Sequence, residues 1–287
     1  MKIAINNSVL LKQYTVEESL WILKNAGFDG ADLSLHEILK DPAWQGDDYV
    51  EKAKALKAEA DRIGFPILQA HAPFDSTIDY AENKFEWTKR SVEIAGICGA
   101  KCIVVHPIQY LSYFDDPKNA DILFDINMEF YGRLKPIADQ YGIKIATENM
   151  WRTNPKRQVI DHSVCSRPEE FCRYVDELQQ RYGDTFTGCL DLGHMVLVGE
   201  DPCAMIRTMG SRIGALHVHD NDYRKDLHTI PGHGDMNFPA ITEALKEIGY
   251  RGIYTLECGS SLPRELLPVG VSYMANIARH FANKIDS

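Results

Sequence analysis

The sequence predicts an α/β protein folded as a single (β/α)8 barrel, the TIM-barrel architecture. A short β-branched run is followed by a longer helical segment about eight times along the 287 residues, a length typical of this barrel. Several strand runs are apolar at consecutive positions, the pattern of a parallel sheet covered on both faces. An open doubly wound sheet is the rival architecture, but this sequence lacks the GxGxxG phosphate-binding motif after its first predicted strand.

Eight apolar runs are the strand candidates, and no low-complexity segment or linker separates them. The predicted strands are Lys2–Asn6, Gly30–Leu33, Ile67–Ala70, Cys102–Val105, Ile143–Thr147, Thr187–Leu190, Gly214–Val218 and Gly252–Leu256. We therefore expect one barrel domain over residues 1–287.

Helix start and stop signals lie between these strands. Thr15 and Glu18 form a capping-box pattern, which satisfies two backbone N–H groups at a helix start. Ser166, Pro168 and Glu169 predict a second start, with the serine as the cap and the proline in the first turn. Glycine, which commonly ends helices in the left-handed conformation, follows several predicted helices. These glycines are Gly27, Gly64, Gly142 and Gly249.

Composition narrows the class of protein. The chain is 45% hydrophobic and 25% charged, as in soluble globular proteins, and no apolar stretch approaches the ~20 residues of a membrane span. The N-terminal sequence lacks the apolar core of a signal peptide, so we expect a cytoplasmic protein. The net charge of −10 disfavours nonspecific binding to nucleic acid or anionic lipid. Seven scattered cysteines predict buried free thiols.

Six predicted strands each end in a residue that can bind a metal. These residues are His71, His106, Glu148, Asp191, His217 and Glu257. In this kind of barrel the C-terminal ends of the strands meet at one rim, where the active site lies. Carboxylates with an imidazole suit a divalent ion such as Mn²⁺, Mg²⁺, Co²⁺ or Zn²⁺. We predict a metal site on the last four, whereas the first two bind either the metal or the substrate.

Three further candidates follow these strand ends. His194 comes three residues after Asp191, so a tight turn can direct both side chains to one site. Asp226 and His228 are two residues apart and face the same side of an extended segment. The Pro231-Gly-His-Gly turn can fold this polar loop back over the rim, and the alternative is a solvated loop.

Aromatic residues near the rim suit the C–H faces of a sugar or simply pack the loops. They are Phe74, Trp151, Trp44 and Tyr110.

These motifs resemble the xylose isomerase-like TIM-barrel superfamily, which contains sugar isomerases and epimerases, inosose dehydratase-like proteins and the endonuclease IV family. The matching pieces are His71-Ala-Pro, Val105-His106-Pro, Thr147-Glu148-Asn149, Asp191-Leu-Gly-His194, His217-Val-His-Asp220, Asp226-x-His228 and Leu256-Glu257. The resemblance to the isomerases implies one divalent metal, and the resemblance to the endonuclease implies three zinc ions. The one-metal ligands would be Glu148, Asp191, His217 and Glu257. The further ligands for three ions would be His71, His106, His194, Asp226 and His228.

Loop charges favour sugar chemistry over DNA chemistry. The loop at residues 36–48 carries four acidic residues against one lysine, and the next loop contains Asp75, Asp79 and Glu82 without a basic residue. Acidic loops oppose the phosphate contacts that supply much of the affinity for DNA. After Glu148 the chain reads Asn-Met-Trp-Arg, unlike the small, Gly-rich segment of the endonuclease.

We therefore expect a metal-dependent isomerase or epimerase of a small sugar or sugar derivative. Glu148 and Glu257 would move a proton at the carbon beside a carbonyl through an enediolate. The expected substrate-binding residues are His194, Arg152, Trp151 and Phe74. Two alternatives stay open: an endonuclease IV-like zinc phosphodiesterase acting on abasic DNA, and a cyclitol or keto-sugar dehydratase. The expected partner is a small carbohydrate, without nucleic acid or membrane, and a homo-oligomer stays open.

Overall fold

Eight parallel strands form a closed barrel, which confirms the predicted fold class. The computed structural model describes residues 1–74, 80–154 and 156–287, without the side chains of residues 80–82. The acidic residues Asp75, Asp79 and Glu82, on which part of the loop-charge argument depends, therefore lie outside the described part. The barrel strands are β1 Ile3–Asn6, β2 Gly30–Ser34, β3 Ile67–His71, β4 Cys102–Val105, β5 Lys144–Glu148, β8 Phe186–Asp191, β9 Ile213–His217 and β10 Tyr254–Leu256. A parallel bridge between Val218 and Leu256 joins the last two strands and closes the barrel.

Helices follow the strands around the outside. They are α1 Ser8–Leu11, α2 Val16–Ala26, α3 Leu35–Ile38, α4 Tyr49–Ile63, α5 Tyr80–Ile97, α6 Asn119–Tyr141, α7 Pro168–Tyr182, α8 Leu192–Leu197, α9 Pro202–Met209, α10 Phe238–Glu247 and α11 Leu267–Asp286. Within the described residues, none of these helices has the length and apolarity needed to cross a membrane.

Most of the predicted helix signals operate as expected. The Thr15–Glu18 capping box is formed at the start of α2, and α2, α4 and α6 each end in a left-handed glycine. The predicted Ser166 cap is wrong, because α7 begins at Pro168 behind Arg167 and has no side-chain cap. The Ser166 hydroxyl instead pairs with Nδ1 of His162 at 2.9 Å.

A two-stranded antiparallel hairpin outside the barrel was not predicted. It consists of β6 Trp151–Asn154 and β7 Val159–His162 and directly follows β5. Its strands are short, polar and mostly half-exposed, so they lack the apolar run that identifies a barrel strand. The hairpin places Trp151 and Arg152 beside the rim.

The barrel interior changes from apolar to polar along its axis. Small apolar side chains pack together inside the barrel, at Cys102, Val104, Ala146, Cys189 and Ala215. Toward the rim the interior side chains are polar and fully or almost fully buried. The seven cysteines are free and five of them are buried. Burial raises the thiol pKa of Cys98 and of Cys102 to about 12, which keeps these thiols protonated at neutral pH.

Candidate active site

Glu148 lies at the centre of the rim and has no exposed surface. Its Oε1 is 2.7 Å from Nδ1 of His217, and its Oε2 is 2.7 Å from Nε2 of His106 and 3.6 Å from Nε2 of His71. Burial would raise the pKa of this carboxyl, but the neighbouring imidazoles of His217 and His106 outweigh burial and hold the pKa well below its usual range. The Glu148 side chain is therefore an anion at neutral pH, enclosed by three histidines.

Two interior side chains hold the far edge of the His217 ring. Nε2 of His217 lies 3.2 Å from Nε2 of Gln69 and 3.6 Å from Oδ2 of Asp32. Asn6 donates to the same Asp32 oxygen at 3.0 Å. These groups come from β1, β2 and β3, and they orient the ring so that Nδ1 faces Glu148 and Glu257.

Asn149 fixes the position of Asp191 at the end of β8. Its Oδ1 accepts from the Asp191 N–H at 2.8 Å, and its Nδ2 donates to the Asp191 carbonyl at 2.9 Å. The Asp191 side chain caps α8 by accepting from the His194 N–H through Oδ1 at 2.7 Å. Its Oδ2 is buried and has no hydrogen-bond partner among the described residues, so this oxygen is available to another ligand.

The Asp-Leu-Gly-His sequence permits close packing at this turn. A Cβ at Gly193 would collide with the imidazole of His219, so glycine allows α8 to approach β9. Nδ1 of His194 lies 2.9 Å from the carbonyl oxygen of Asn149. The opposite ring nitrogen of His194 is 3.6 Å from Oδ2 of Asp226.

The loop after β9 folds back because one carboxylate holds it. Oδ2 of Asp220 accepts from the N–H groups of Gly232 and Gly234, both at 2.9 Å. This anchoring returns Asp226 and His228 to the rim, as the Pro231-Gly-His-Gly turn predicts. His228 has a φ of +48°, an uncommon conformation for a non-glycine residue that its surroundings must enforce. Its Nδ1 is 2.7 Å from the Glu257 carbonyl oxygen.

His219 joins this loop to Asp191, and sequence reasoning missed it. Its Nε2 lies 3.1 Å from Oδ1 of Asp191 and 3.8 Å from Oδ1 of Asp226, and its ring stacks on His228 with centroids 4.1 Å apart. The signal was available, because residues two apart in a strand face the same side and His219 is two residues after His217. The pKa of His228 is raised to about 9, since its hydrogen bond to Asp226 and the charge of Glu257 outweigh burial.

The donor atoms fit divalent metal ions. Among the described residues, five sets of side chains each bring one ligand atom per residue to within 4.8 Å of the others, and three of these sets together contain every candidate ligand. These three sets are Glu148, Asp191, His217 and Glu257; His71, His106 and Glu148; and His194, His219, Asp226 and His228. Buried carboxylate oxygens without hydrogen bonds are costly, and among the described residues such oxygens occur on Asp191 and Asp226. All nine candidate ligands from the sequence therefore converge, and a cation would satisfy these oxygens.

A cavity of about 300 Å³ opens above these groups. Among the residues predicted to contact substrate, Phe74, Trp151 and His194 line it. Arg152 does not line it, and its Nη1 lies 3.4 Å from the Gln109 carbonyl oxygen. Two other aromatic candidates are also elsewhere: Trp44 is packed in the core, and Tyr110 is 63% exposed. Glu148 lies beneath the cavity lining, whereas His71, His106 and Glu257 belong to it.

Comparison with known proteins gives a consistent result. Residues 21–276 match the family model for the xylose isomerase-like TIM barrel. The uncharacterized protein MJ1311 of Methanocaldococcus jannaschii is 30% identical over 213 residues, which cover 71% of this chain and 68% of that protein. An inosose dehydratase of Lacticaseibacillus casei is 26% identical over 273 residues, with 86% and 82% covered.

Two solved structures share the fold over nearly the whole chain. A D-tagatose 3-epimerase-like protein superposes with a TM-score of 0.74 at 22% identity and covers 100% of both chains. The IOLI protein, crystallised with a zinc atom, superposes with a TM-score of 0.70 at 19% identity, with 99% of this chain and 98% of that chain covered. At these identities the likeness establishes the barrel fold.

Proposed function

The chain belongs to the xylose isomerase-like TIM-barrel family, and on that basis we propose that it is a metal-dependent isomerase or epimerase of a small sugar or sugar derivative. The observation that carries this proposal is the meeting of two carboxylates at one imidazole below a sugar-sized cavity. Nδ1 of His217 lies 2.7 Å from Oε1 of Glu148 and 3.5 Å from Oε2 of Glu257. Two carboxylates that share one metal-binding imidazole suit proton transfer to and from a single carbon.

Glu148, Asp191, His217 and Glu257 would hold the ion. When bound there, a divalent metal polarises a substrate carbonyl and makes the adjacent C–H more acidic. Glu257 lines the cavity and would remove this proton to give the enediolate.

Glu148 would support the return of a proton from His106. Glu148 has no surface of its own in the cavity, but His106 lines it and lies 2.7 Å from Oε2 of Glu148. Because Glu148 is an anion, the proton would reach His106 from solvent, and the carboxylate would stabilise the imidazolium that then donates this proton to the substrate. The ion count belongs to the same proposal: one ion in the four-ligand site suffices for this chemistry, and the other two donor sets would allow as many as three.

Charge in the cavity supports a sugar over DNA. Among the described residues that line the 300 Å³ cavity, Lys84 is the only lysine, and none is an arginine. DNA binding depends on several phosphate contacts from lysine and arginine. The endonuclease alternative shares the donor set, so the surroundings of the donors distinguish the two functions. The dehydratase is the second candidate, favoured by the match to an inosose dehydratase over 86% of the chain.

Proton exchange tests the proposal directly. With zinc or manganese present, we expect deuterium incorporation beside the carbonyl of at least one ketose in D₂O, followed by NMR. Glu257→Gln should lower the exchange rate by at least ~100-fold, the usual contribution of a general base. Glu265→Gln, an exposed carboxylate outside the site, is the matched control, and circular dichroism verifies folding.

Three results would contradict this function. They are full exchange activity in Glu257→Gln, exchange that persists after metal removal, and the absence of exchange with every ketose tested. Incision of abasic duplex DNA that disappears in Glu257→Gln would support the endonuclease alternative instead. Loss of water from a cyclitol or keto-sugar, with the same dependence on Glu257, would support the dehydratase.

A further inference from the structure

A second cavity of about 290 Å³ lies beside the first. We call the cavity next to His106 and Trp151 lobe one, and the cavity next to Ser8 and Ser34 lobe two. The two lobes have four lining residues in common, which are His71, Phe74, His228 and Glu257. The lobes therefore adjoin each other at these residues, one of which is Glu257, the proposed base.

A stack of three rings extends across the linings of both lobes. The ring of Phe74 lies between those of His36 and His106, with centroid distances of 3.7 Å and 5.3 Å and interplanar angles of 3° and 19°. His106 lines lobe one, and His36 lines lobe two. Since Phe74 lines both lobes, the stack lies along the boundary between them.

The lining of lobe two suits an uncharged polyhydroxyl group. Three serines line it, at Ser8, Ser34 and Ser260, and each hydroxyl can both donate to and accept from a sugar hydroxyl. Its lysine and carboxylate residues are Lys12, Glu37 and Glu257, and His36, His71 and His228 also line it. A single lysine without an arginine lacks the several charged donors that usually bind a phosphate or a carboxylate.

We propose that lobe two binds a second, uncharged sugar unit, so that the substrate is a glycoside or a disaccharide-sized ketose. Lobe one takes the reacting unit, because six of the nine candidate metal ligands line it and three line lobe two. Small-molecule sites range from ~300 to ~1,000 Å³, so each lobe is at the lower end and accommodates about one ring. The inference rests on the proposed function for the identity of the reacting unit.

Binding of paired ketoses to the metal-loaded protein tests the second lobe. The probes are D-fructose and three ketose disaccharides with different linkages: lactulose, turanose and isomaltulose. D-Fructose 6-phosphate is the charged comparison. By calorimetry we expect at least one disaccharide to bind ~10-fold more tightly than fructose, a difference of ~1.4 kcal/mol, and fructose 6-phosphate to bind no more tightly than fructose.

Variants that fill lobe two make the test specific. Ser260→Trp should reduce the affinity of the best disaccharide to that of fructose and leave fructose binding within twofold. Ser8→Phe enters from the other wall and should act in the same way if Ser260→Trp does not fold. The matched control is Ser261→Trp, since Ser261 is exposed and outside both linings, and it should keep the preference.

The inference and the proposed function fail in different ways. Equal affinity for fructose and all three disaccharides, equal weakening of both by Ser260→Trp, or tightest binding of fructose 6-phosphate would overturn the second sugar site. A disaccharide preference that Ser260→Trp abolishes would support lobe two even if no probe exchanges protons in D₂O. Exchange of fructose without any disaccharide preference would support the enzyme function and remove lobe two.

Discussion

At the residue scale, Asn149 connects the ends of two strands that carry proposed metal ligands. It follows Glu148 on β5, bonds both the N–H and the carbonyl of Asp191 on β8, and its carbonyl oxygen lies 2.9 Å from Nδ1 of His194. These contacts fix the two carboxylates relative to each other. The motif Thr147-Glu148-Asn149 does not predict this role for Asn149, because the partners of its side chain lie more than forty residues away.

Replacing Asn149 should damage both stability and metal binding. Asn149→Ala removes the side-chain hydrogen bonds to the N–H and the carbonyl of Asp191, and a buried group left without its partner costs ~1–3 kcal/mol. We expect a loss of at least ~2 kcal/mol in urea unfolding and at least ~10-fold weaker zinc binding by calorimetry, the usual cost of losing an orienting contact.

Asn127 provides the matched control for this prediction. It bonds both backbone groups of Ile108, with distances of 2.6 and 2.9 Å, but contacts none of the four proposed ligands. Asn127→Ala should therefore lower stability and leave zinc affinity nearly unchanged. Equal zinc affinity in Asn149→Ala and the wild-type protein would show that Asn149 does not position the site.

At the element scale, the sequence predicts the repeated barrel strands. It does not predict features that depend on contacts with another segment of the chain. All eight barrel strands were located, because each is an apolar run of the right length next to a helix signal. The β6–β7 hairpin was missed, since Trp151–Asn154 and Val159–His162 gain their structure from pairing with each other rather than from burial. The Ser166 cap failed because its hydroxyl pairs with His162, a partner that the local motif does not show.

The approach of α8 to β9 yields a prediction about Gly193. A methyl group at this position would collide with the ring of His219, so Gly193→Ala should destabilise the protein by ~1–3 kcal/mol through overpacking. Since the collision involves one side chain, removing that ring should relieve it. The double variant Gly193→Ala, His219→Ala should then be more stable than the sum of the single changes indicates.

Urea unfolding of the four proteins completes this double-mutant cycle. We expect a coupling free energy of at least ~1 kcal/mol, within the range measured for residues in contact. Additive effects would show that α8 and β9 adjust without involving His219. Zinc affinity of the double variant then separates the packing role of His219 from any role as a ligand.

At the scale of the whole molecule, the barrel gathers charge that the unfolded chain keeps apart. The ends of six strands, helix α8 and the loop after β9 bring the nine candidate ligands to one rim, and four of these ligands are carboxylates. The rim could be predicted, because strand ends in a parallel barrel share one edge. Lobe two could not, because its boundary with lobe one depends on stacking between His36, Phe74 and His106, whose relative orientation no local pattern encodes.

This concentration of donors predicts that metal stabilises the folded protein and that the ions can be counted. An ion that binds only the folded state at 100 times its Kd adds ~2.7 kcal/mol. At 2–4 °C per kcal/mol for chains of 150–250 residues, the increase in Tm is ~5–10 °C. We expect zinc or manganese to produce this shift in scanning calorimetry and chelation to reverse it.

Elemental analysis of His228→Ala should show at least one equivalent still bound, because the Glu148, Asp191, His217 and Glu257 set is intact. More than one equivalent in the wild-type protein, falling by one in this variant, would add the His194–His219–Asp226–His228 set as a second site. Loss of all metal from His228→Ala would overturn the four-ligand assignment.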